Sequence, residues 1–456
     1  MKQQSERLGK EPIPKLLAKL AVPAMFGMFV MALYNVVDTI FVSRAVGTVG
    51  VAAVSIAFPV QMIVMALAGA IGIGGASVIS RMLGANKLED ANQVFGNVIS
   101  LVFLVSIIGI LLGLNFLTPI LYLFGSSETI LPYAKDYLGI ILYGTIFFAF
   151  AFSMNNIIRS EGNAKTAMLT MVIGAVLNII LTPTFIFGFG LGIKGSALAT
   201  VLSQGITAVY LVIYFLSGRS SLSFRTLYLR PKLLVIKQIL AIGSSAFVQQ
   251  AAGSLMFIVA NHMLIFHGGD LAVAVFGIIH KVIMFSLMPT MGIIQGLMPI
   301  VGYNYGAKQH HRVSEAIMLA VKASTLIVLI AFIVIMVFPK YIMLIFTSDP
   351  EAIQMGQTAL RILFSLTVTI GIQMVTGGVF QSLGKARAAL ILSMSRQVLF
   401  LIPLMLILPS MFSVVGIWLA FPIADLLSFF LALWFINSHK SIFFGKENLI
   451  ISNQNA

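Results

Sequence analysis

Residues 323–338 have the sequence ASTLIVLIAFIVIMVF, which is predominantly apolar and contains no charged side chain. The run does not alternate apolar with polar residues as a strand of a membrane β-barrel would. A membrane-spanning helix needs about 20 predominantly apolar residues, and comparable runs recur along all 456 residues of the chain. This stretch and the other apolar runs of similar length therefore predict an all-α polytopic membrane protein.

The composition supports the same fold class. Hydrophobic residues make up 59% of the chain and charged residues only 9%, whereas soluble globular proteins are about a quarter charged. The basic residues behind the net charge of +14 are dispersed between apolar runs, so we expect no nucleic-acid partner. The chain has no cysteine, which excludes disulfides and Cys-ligated metal centres.

The apolar runs, bounded by charges, glycine or proline, predict twelve transmembrane helices. In the first half of the chain we place them at residues 16–43, 50–80, 93–124, 131–157, 164–189 and 193–217. In the second half we place them at residues 236–266, 271–300, 313–339, 356–381, 388–410 and 413–437.

The charges between the spans predict the topology. If both termini are cytoplasmic, that side receives twenty Lys and Arg residues and the other side only Arg44, Lys135, Lys194 and Lys340. The positive-inside rule then places both termini in the cytoplasm. The longest polar connection, Ser217 to Lys237, carries five basic residues and reads as a cytoplasmic linker.

The chain resembles itself when it is shifted by 222 residues. RMLGANK (81–87) then aligns with YNYGAKQ (303–309), and RSEGNAKTAM (159–168) with QSLGKARAAL (381–390). Two similar six-helix halves are implied, and because six is even, both enter the membrane from the same face. We therefore predict two parallel six-helix lobes around a central cleft. The predicted divisions are a cytoplasmic tail (1–15), an N-terminal lobe (16–217), a linker (218–235), a C-terminal lobe (236–437) and a second cytoplasmic tail (438–456).

Three segments carry a resemblance to a known family. They are YNVVDTIFVSRAVGTVGVAAVSIAFP (34–59), GASVISRMLGANK (75–87) and LNIILTPTFIFGFGLGIKGSALAT (177–200). Together they resemble the multidrug and toxic compound extrusion (MATE) family, most closely its bacterial MepA-like branch. The resemblance implies a twelve-helix, two-lobed transporter of the cell membrane that exports amphipathic, cationic organic compounds in antiport with H⁺ or Na⁺. Such a transporter needs no cofactor beyond the coupling ion. We also expect it to be a monomer surrounded by membrane lipid.

Asp38 is an acid at the middle of a predicted span, where a charge costs about 2.5–3.5 kcal/mol. Tyr34 and Asn35, four and three residues earlier, share its helical face. A low dielectric disfavours the bare carboxylate, so Asp38 is predicted to act as a protonation switch or as a hard oxygen ligand for Na⁺. A neutral, hydrogen-bonded core carboxyl is the alternative.

The MATE resemblance implies partners for Asp38 in two later spans. Asn178 and Thr182 in LNIILTP, and Ser196 and Thr200 in GSALAT, match positions that line the N-lobe cation site of the family. Many relatives have an acid where this chain has Thr182. One carboxylate in place of two favours H⁺ over Na⁺ as the coupling ion and leaves Na⁺ open. Packing against neighbouring helices is the alternative role for these four residues.

The second half offers further polar residues at depth. The amides are Gln249, Gln250 and Gln373, and the charged residues are Lys281, Arg396 and Asp425. Amides cannot titrate, so they suit hydrogen bonding to a substrate or packing. Pairing of Asp425 with Lys281 or Arg396 would lower the cost of burying charge, and the sequence does not choose between them.

Other functions stay open with less support. A lipid-linked saccharide flippase has a similar two-lobed architecture but needs cationic residues in its cleft. An intramembrane enzyme would need Asp38 and Asp425 as a pair, yet the duplication puts them in different lobes. No phosphate-binding loop and no metal-ligand spacing occur in the sequence, so we expect neither an ATP-driven pump nor a metal centre.

Overall fold

The computed structural model describes residues 3–444, and its regular elements are helices. The first half contains α1 (Gln3–Lys10), α2 (Ile13–Gly84), α3 (Leu88–Asn115), α4 (Leu117–Leu123), α5 (Leu131–Ser160), α6 (Ala164–Pro183) and α7 (Gly192–Leu216). The second half contains α8 (Leu233–Gly306), α9 (His310–Val337), α10 (Pro339–Leu344), α11 (Pro350–Phe364), α12 (Ile370–Ser382), α13 (Ala386–Met394), α14 (Ile402–Ile407), α15 (Pro409–Ser438) and α16 (Lys440–Phe443). The end of the predicted C-terminal tail, from residue 445, lies outside the described residues.

Two helices are long enough to hold two spans each. α2 has 72 residues and breaks at Gly47, whose φ is 72°, and α8 has 74 residues and breaks at Gly269, whose φ is 64°. Glycine suits both breaks because a side chain disfavours positive φ. α11 and α12 meet at a bend of 43°, and together they are long and apolar enough for one span. With each side of the two breaks counted separately, the described residues contain the twelve predicted spans and confirm the fold class.

The chain forms two compact units. Each unit contains the first residues of the long helix that continues in the other unit, and we call these two segments the exchanged helix starts. The first unit contains Val22–Phe247 together with α1, and the second contains Glu11–Ala21 and residues 248–444. α2 therefore begins in the second unit and continues in the first, while α8 begins in the first and continues in the second. The division at residues 217 and 236 stays a prediction for the lobes.

Glycines allow each exchanged helix start to approach its neighbour closely. In the first unit, a Cβ on Gly243 would lie 2.0 Å from the Ala70 carbonyl oxygen, and a Cβ on Gly74 would meet the adjacent turn of α8. In the second unit, a Cβ on Gly296 would lie 2.7 Å from the Ala21 nitrogen. A shift of 222 residues relates Gly74 to Gly296 and Ala21 to Gly243, so the same crossing occurs in both units.

The linker between α7 and α8 is held along α3. The Asn97 amide oxygen accepts from the Lys232 backbone N–H at 2.7 Å, and its nitrogen donates to the Tyr228 carbonyl at 3.2 Å. The Ser100 hydroxyl donates to the Leu229 carbonyl at 2.7 Å. These side chains satisfy backbone groups that a free linker would expose to water. The segment predicted as a connection is therefore part of the first unit.

Glu161, between α5 and α6, binds the start of the same linker. Its carboxylate accepts from the Ser220 hydroxyl and from the Ser221 backbone N–H, both at 2.7 Å. The side chain is 1% exposed, and this burial raises the pKa of Glu161 from its ordinary value of 4.5 to about 7, although the two hydrogen bonds act in the opposite direction.

We expect Glu161→Gln to remove part of the pH dependence of stability. The folded chain binds this proton more tightly than the unfolded chain, so the stabilisation is complete below about pH 4.5 and is lost as the pH rises through about 7. The neutral amide should match the wild type near pH 5 and be more stable near pH 8, by at most about 3 kcal/mol. Thermal unfolding in detergent at both pH values measures the difference.

The exposed Glu315 provides a matched control. Glu315→Gln should change neither unfolding midpoint, because its carboxylate keeps its hydration on folding. A Glu161→Gln protein that follows the wild type at both pH values would contradict the expected linkage.

Candidate functional site

Two hydroxyl groups surround the Asp38 carboxylate in the first unit. Thr182 Oγ1 donates to Asp38 Oδ1 at 3.1 Å, and Ser196 Oγ lies 3.2 and 3.3 Å from the two carboxylate oxygens. Thr182 and Ser196 are fully buried, while Asp38 is partly buried. Hydrogen bonds from buried hydroxyls stabilise a carboxylate where water is scarce. The structure thus brings together three helices around the acid that the sequence singled out.

The helical repeat explains the position of these donors. Asn178 and Thr182 are four residues apart on α6, and Ser196 and Thr200 are four residues apart on α7, so each pair shares one face. Gly195 lets α7 approach the turn that follows α6, because a Cβ there would lie only 2.8 Å from the Phe185 carbonyl carbon. Asn178 Nδ2 donates to Thr200 Oγ1 at 3.1 Å and joins the two helices.

The network has more acceptors than protons. Thr182 Oγ1 lies 3.1 Å from Asp38 Oδ1 and 3.2 Å from Asn178 Oδ1, yet a hydroxyl can donate only one proton. With Asp38 ionised, Thr182 donates to the carboxylate and Asn178 Oδ1 loses its donor. With Asp38 protonated, Asp38 can donate to Thr182, which then donates to Asn178. The direction of the chain of hydrogen bonds therefore depends on whether Asp38 carries a proton.

The other residues near Asp38 divide into two groups. Asn35 is exposed, and its amide donates to the Met31 carbonyl of its own helix at 2.8 Å, so it does not join the network. Tyr34 lies within electrostatic range of Asp38, as predicted from its spacing. Tyr137 lies within the same range and is hydrogen-bonded to Gln61. Sequence reasoning missed both Tyr137 and Gln61, because neither belongs to a quoted motif.

A small pocket lies beside the network. Its volume is about 50 Å³, and its polar lining comes from Gln61, Thr145, Thr200 and Gln204. A water molecule needs roughly 10–15 Å³ and two to four polar partners, so the pocket suits a few waters rather than an organic molecule. Thr200 connects the pocket to the hydrogen bonds around Asp38.

Oxygen atoms of neutral side chains supply most of the possible cation ligands at Asp38. Within residues 3–444, no group of three or more His, Cys, Asp or Glu side chains is arranged to hold a metal ion. A monovalent cation here would rely on one carboxylate together with hydroxyl and amide oxygens, which are hard ligands.

In the second unit, Asp425 pairs with Arg396 rather than Lys281. Arg396 Nε lies 2.5 Å from Asp425 Oδ1, and Gln373 Nε2 donates to the Asp425 backbone carbonyl at 2.6 Å. Asp425 is 1% exposed, and its Oδ2 has no hydrogen-bond partner among the described residues. Lys281 and Gln249 are exposed, and Gln250 is half-buried. Of the predicted polar residues, the structure therefore brings Gln373, Arg396 and Asp425 together.

Arg396→Leu is expected to destabilise the protein by about 3–5 kcal/mol, because it leaves a buried carboxylate without its cation. Removing both charges, with Arg396→Leu and Asp425→Leu together, should recover much of that loss. Thermal unfolding of the two variants in one detergent measures the difference. Lys281→Leu is the control and should stay within about 0.5 kcal/mol of the wild type. A double variant no more stable than Arg396→Leu would contradict the role of the pair.

The chain is similar in sequence to one family of known proteins. The sequence profile of the MatE family matches the chain twice, at residues 23–184 and 245–407. The matches begin 222 residues apart, which is the shift that aligns the chain with itself. The multidrug export protein MepA of Staphylococcus haemolyticus is 26% identical over 427 residues, covering 94% of this chain and 94% of that protein.

Solved structures are similar over nearly the whole chain. The MATE multidrug transporter DinF-BH, solved in complex with rhodamine 6G, is 54% identical, with a TM-score of 0.91, and the match covers 97% of this chain and 100% of that one. A multidrug resistance MATE family transporter of the MOP superfamily, in an outward-facing conformation, is 28% identical with a TM-score of 0.89. That match covers 95% of this chain and 98% of the other.

Proposed function

Because this chain belongs to the MatE family of multidrug transporters, we propose that it exports amphipathic organic cations from the cytoplasm in exchange for H⁺ or Na⁺. Export would proceed by alternating access across the cell membrane, with both termini in the cytoplasm and the monomer as the working unit. Its relatives are named as transporters, which favours drug export over the flippase and the intramembrane enzyme.

The observation that carries the proposal is the network of Thr182, Ser196 and Asn178 around Asp38. A carboxyl in this position can change its charge when an ion binds, and the network offers hydrogen bonds to both forms. Binding of H⁺ or Na⁺ from outside would favour the state that releases the drug, and loss of the ion to the cytoplasm would reset the site.

Protons fit the network better than Na⁺. The site holds one carboxylate, and Thr182 takes the position where the family resemblance implies a second acid. When Asp38 is protonated, it can donate to Thr182, Thr182 to Asn178, and Asn178 to Thr200. All three hydrogen bonds can then form at once. The adjoining pocket has room for waters that could deliver the proton. We therefore propose H⁺ as the coupling ion.

Transport in proteoliposomes tests the function. Efflux of the dye rhodamine 6G, the compound in the DinF-BH complex, is followed under an imposed H⁺ gradient, an imposed Na⁺ gradient, or neither. We expect accumulation against the dye gradient with H⁺ alone and none without an ion gradient. Equal transport in all three conditions would contradict antiport, and transport with Na⁺ alone would reverse the choice of ion.

A further inference from the structure

The linker of residues 217–237 presents basic side chains on a backbone that is held in place. Arg219, Arg225, Arg230, Lys232 and Lys237 are all exposed, and the segment contains no Asp or Glu. Among residues 3–444, none of these five forms an ion pair. α3 anchors the linker through its backbone, at groups such as the Lys232 N–H and the Leu229 carbonyl. The charged ends are therefore left available to an external partner.

Exposed apolar side chains lie among these charges. Leu227 is 62% exposed, and Leu233 and Leu234 are 80% and 78% exposed. Leu233 and Leu234 are the first two residues of α8, which continues as a membrane span. Arg230 and Lys232 lie at most four residues from these leucines, so exposed basic and exposed apolar side chains adjoin at the start of the span.

Acidic side chains near the linker are already engaged. Glu89 accepts a hydrogen bond from the Tyr228 hydroxyl, and Glu161 accepts from Ser220 and Ser221. The Arg225 guanidinium carbon lies 6.0 Å above the Tyr228 ring, which orients the side chain without neutralising it. Five exposed basic residues outnumber these two carboxyl groups, so the net charge of this surface is positive.

We propose that the linker is a binding surface for the headgroups of anionic phospholipids. The guanidinium and ammonium groups would contact the lipid phosphates while Leu227, Leu233 and Leu234 contact the acyl chains. A planar guanidinium suits two phosphate oxygens at once. Because α3 holds the backbone, binding needs little ordering of the chain. The proposal goes beyond drug export and does not depend on the transported compound or ion.

Binding of fluorescent phosphatidylglycerol to the full-length protein in neutral detergent tests this proposal. The variant Arg225→Gln, Arg230→Gln, Lys232→Gln is compared with Lys308→Gln, Arg387→Gln, Lys440→Gln, which removes three exposed basic residues of the second unit. A basic residue at a membrane surface contributes roughly a fivefold change in affinity. We expect the linker variant to bind at least tenfold more weakly and the second variant to bind like the wild type.

Three further measurements make the result specific. Phosphatidylcholine should bind all three proteins equally and more weakly, high salt should weaken phosphatidylglycerol binding to the wild type, and inorganic phosphate should compete poorly because it lacks acyl chains. If the triple variant folds poorly, Arg225→Gln alone should weaken binding roughly fivefold. Unchanged binding by a folded linker variant, or equal affinity for the two lipids, would overturn the proposal.

Discussion

Asp38→Asn is expected to reduce gradient-driven efflux of rhodamine 6G to the level of liposomes without protein. The amide keeps the size of the side chain and can still hydrogen-bond to Ser196, but it cannot take up a proton and carries no charge for Na⁺. Binding of the drug to the variant should persist, because coupling rather than folding is lost. Efflux under an imposed H⁺ gradient, at matched reconstitution and between about pH 6 and 8, measures the effect.

Asn35→Ala is the matched control, because Asn35 shares the helical face of Asp38 while its amide donates to the Met31 carbonyl of its own helix. It should transport like the wild type. Asp38→Glu should retain part of the activity, and Thr182→Asp, which adds a second carboxylate, should shift the ion preference toward Na⁺. Wild-type efflux by Asp38→Asn would remove the basis for coupling at this residue.

Gly243→Ala, which adds one methyl group, is expected to destabilise the first unit more than any other glycine-to-alanine substitution there. The added Cβ would lie 2.0 Å from the Ala70 carbonyl oxygen, and a backbone atom cannot move aside as a flexible side chain can. The clash forces α8 away from α2, at a cost of about 3 kcal/mol. A lower unfolding midpoint and reduced transport should both follow.

Gly277→Ala makes the same chemical change in the same helix. A Cβ on Gly277 meets no atom of the described residues within 4 Å, so this variant should be at least as stable as the wild type, by up to about 1 kcal/mol. Helix propensity favours alanine at both positions equally, so the difference between the variants isolates the close approach. Equal midpoints for the two proteins would show that the crossing can relax.

The Asp38 network shows how far sequence reasoning reaches. Hydropathy located the acid, and family resemblance named Thr182 and Ser196, which the structure places at hydrogen-bond distance from it. Asn35 shares the helical face of Asp38, but its amide donates to the carbonyl of its own preceding turn, and helical spacing alone does not indicate that choice of partner. Tyr137 approaches from a different helix, and no local pattern encodes such a contact.

The second unit illustrates the same limit. The sequence allowed Asp425 to pair with either Lys281 or Arg396, and only the arrangement of α15 against the turn between α13 and α14 decides for Arg396. The number of spans was predictable because each span must be apolar by itself. The exchanged helix starts were not, because hydropathy does not indicate which neighbour a span contacts.

The exchange of helix starts also bears on how the protein is made. The ribosome completes α7 before it produces residues 233–247. When α7 has been synthesised, the first unit therefore still lacks one of its own segments. The second unit has the opposite history, since residues 11–21 are among the earliest to be synthesised and must wait for α8 to appear. The first half therefore cannot finish assembling during its own translation, and a gene cut within the linker would give two fragments that each carry a piece of the other.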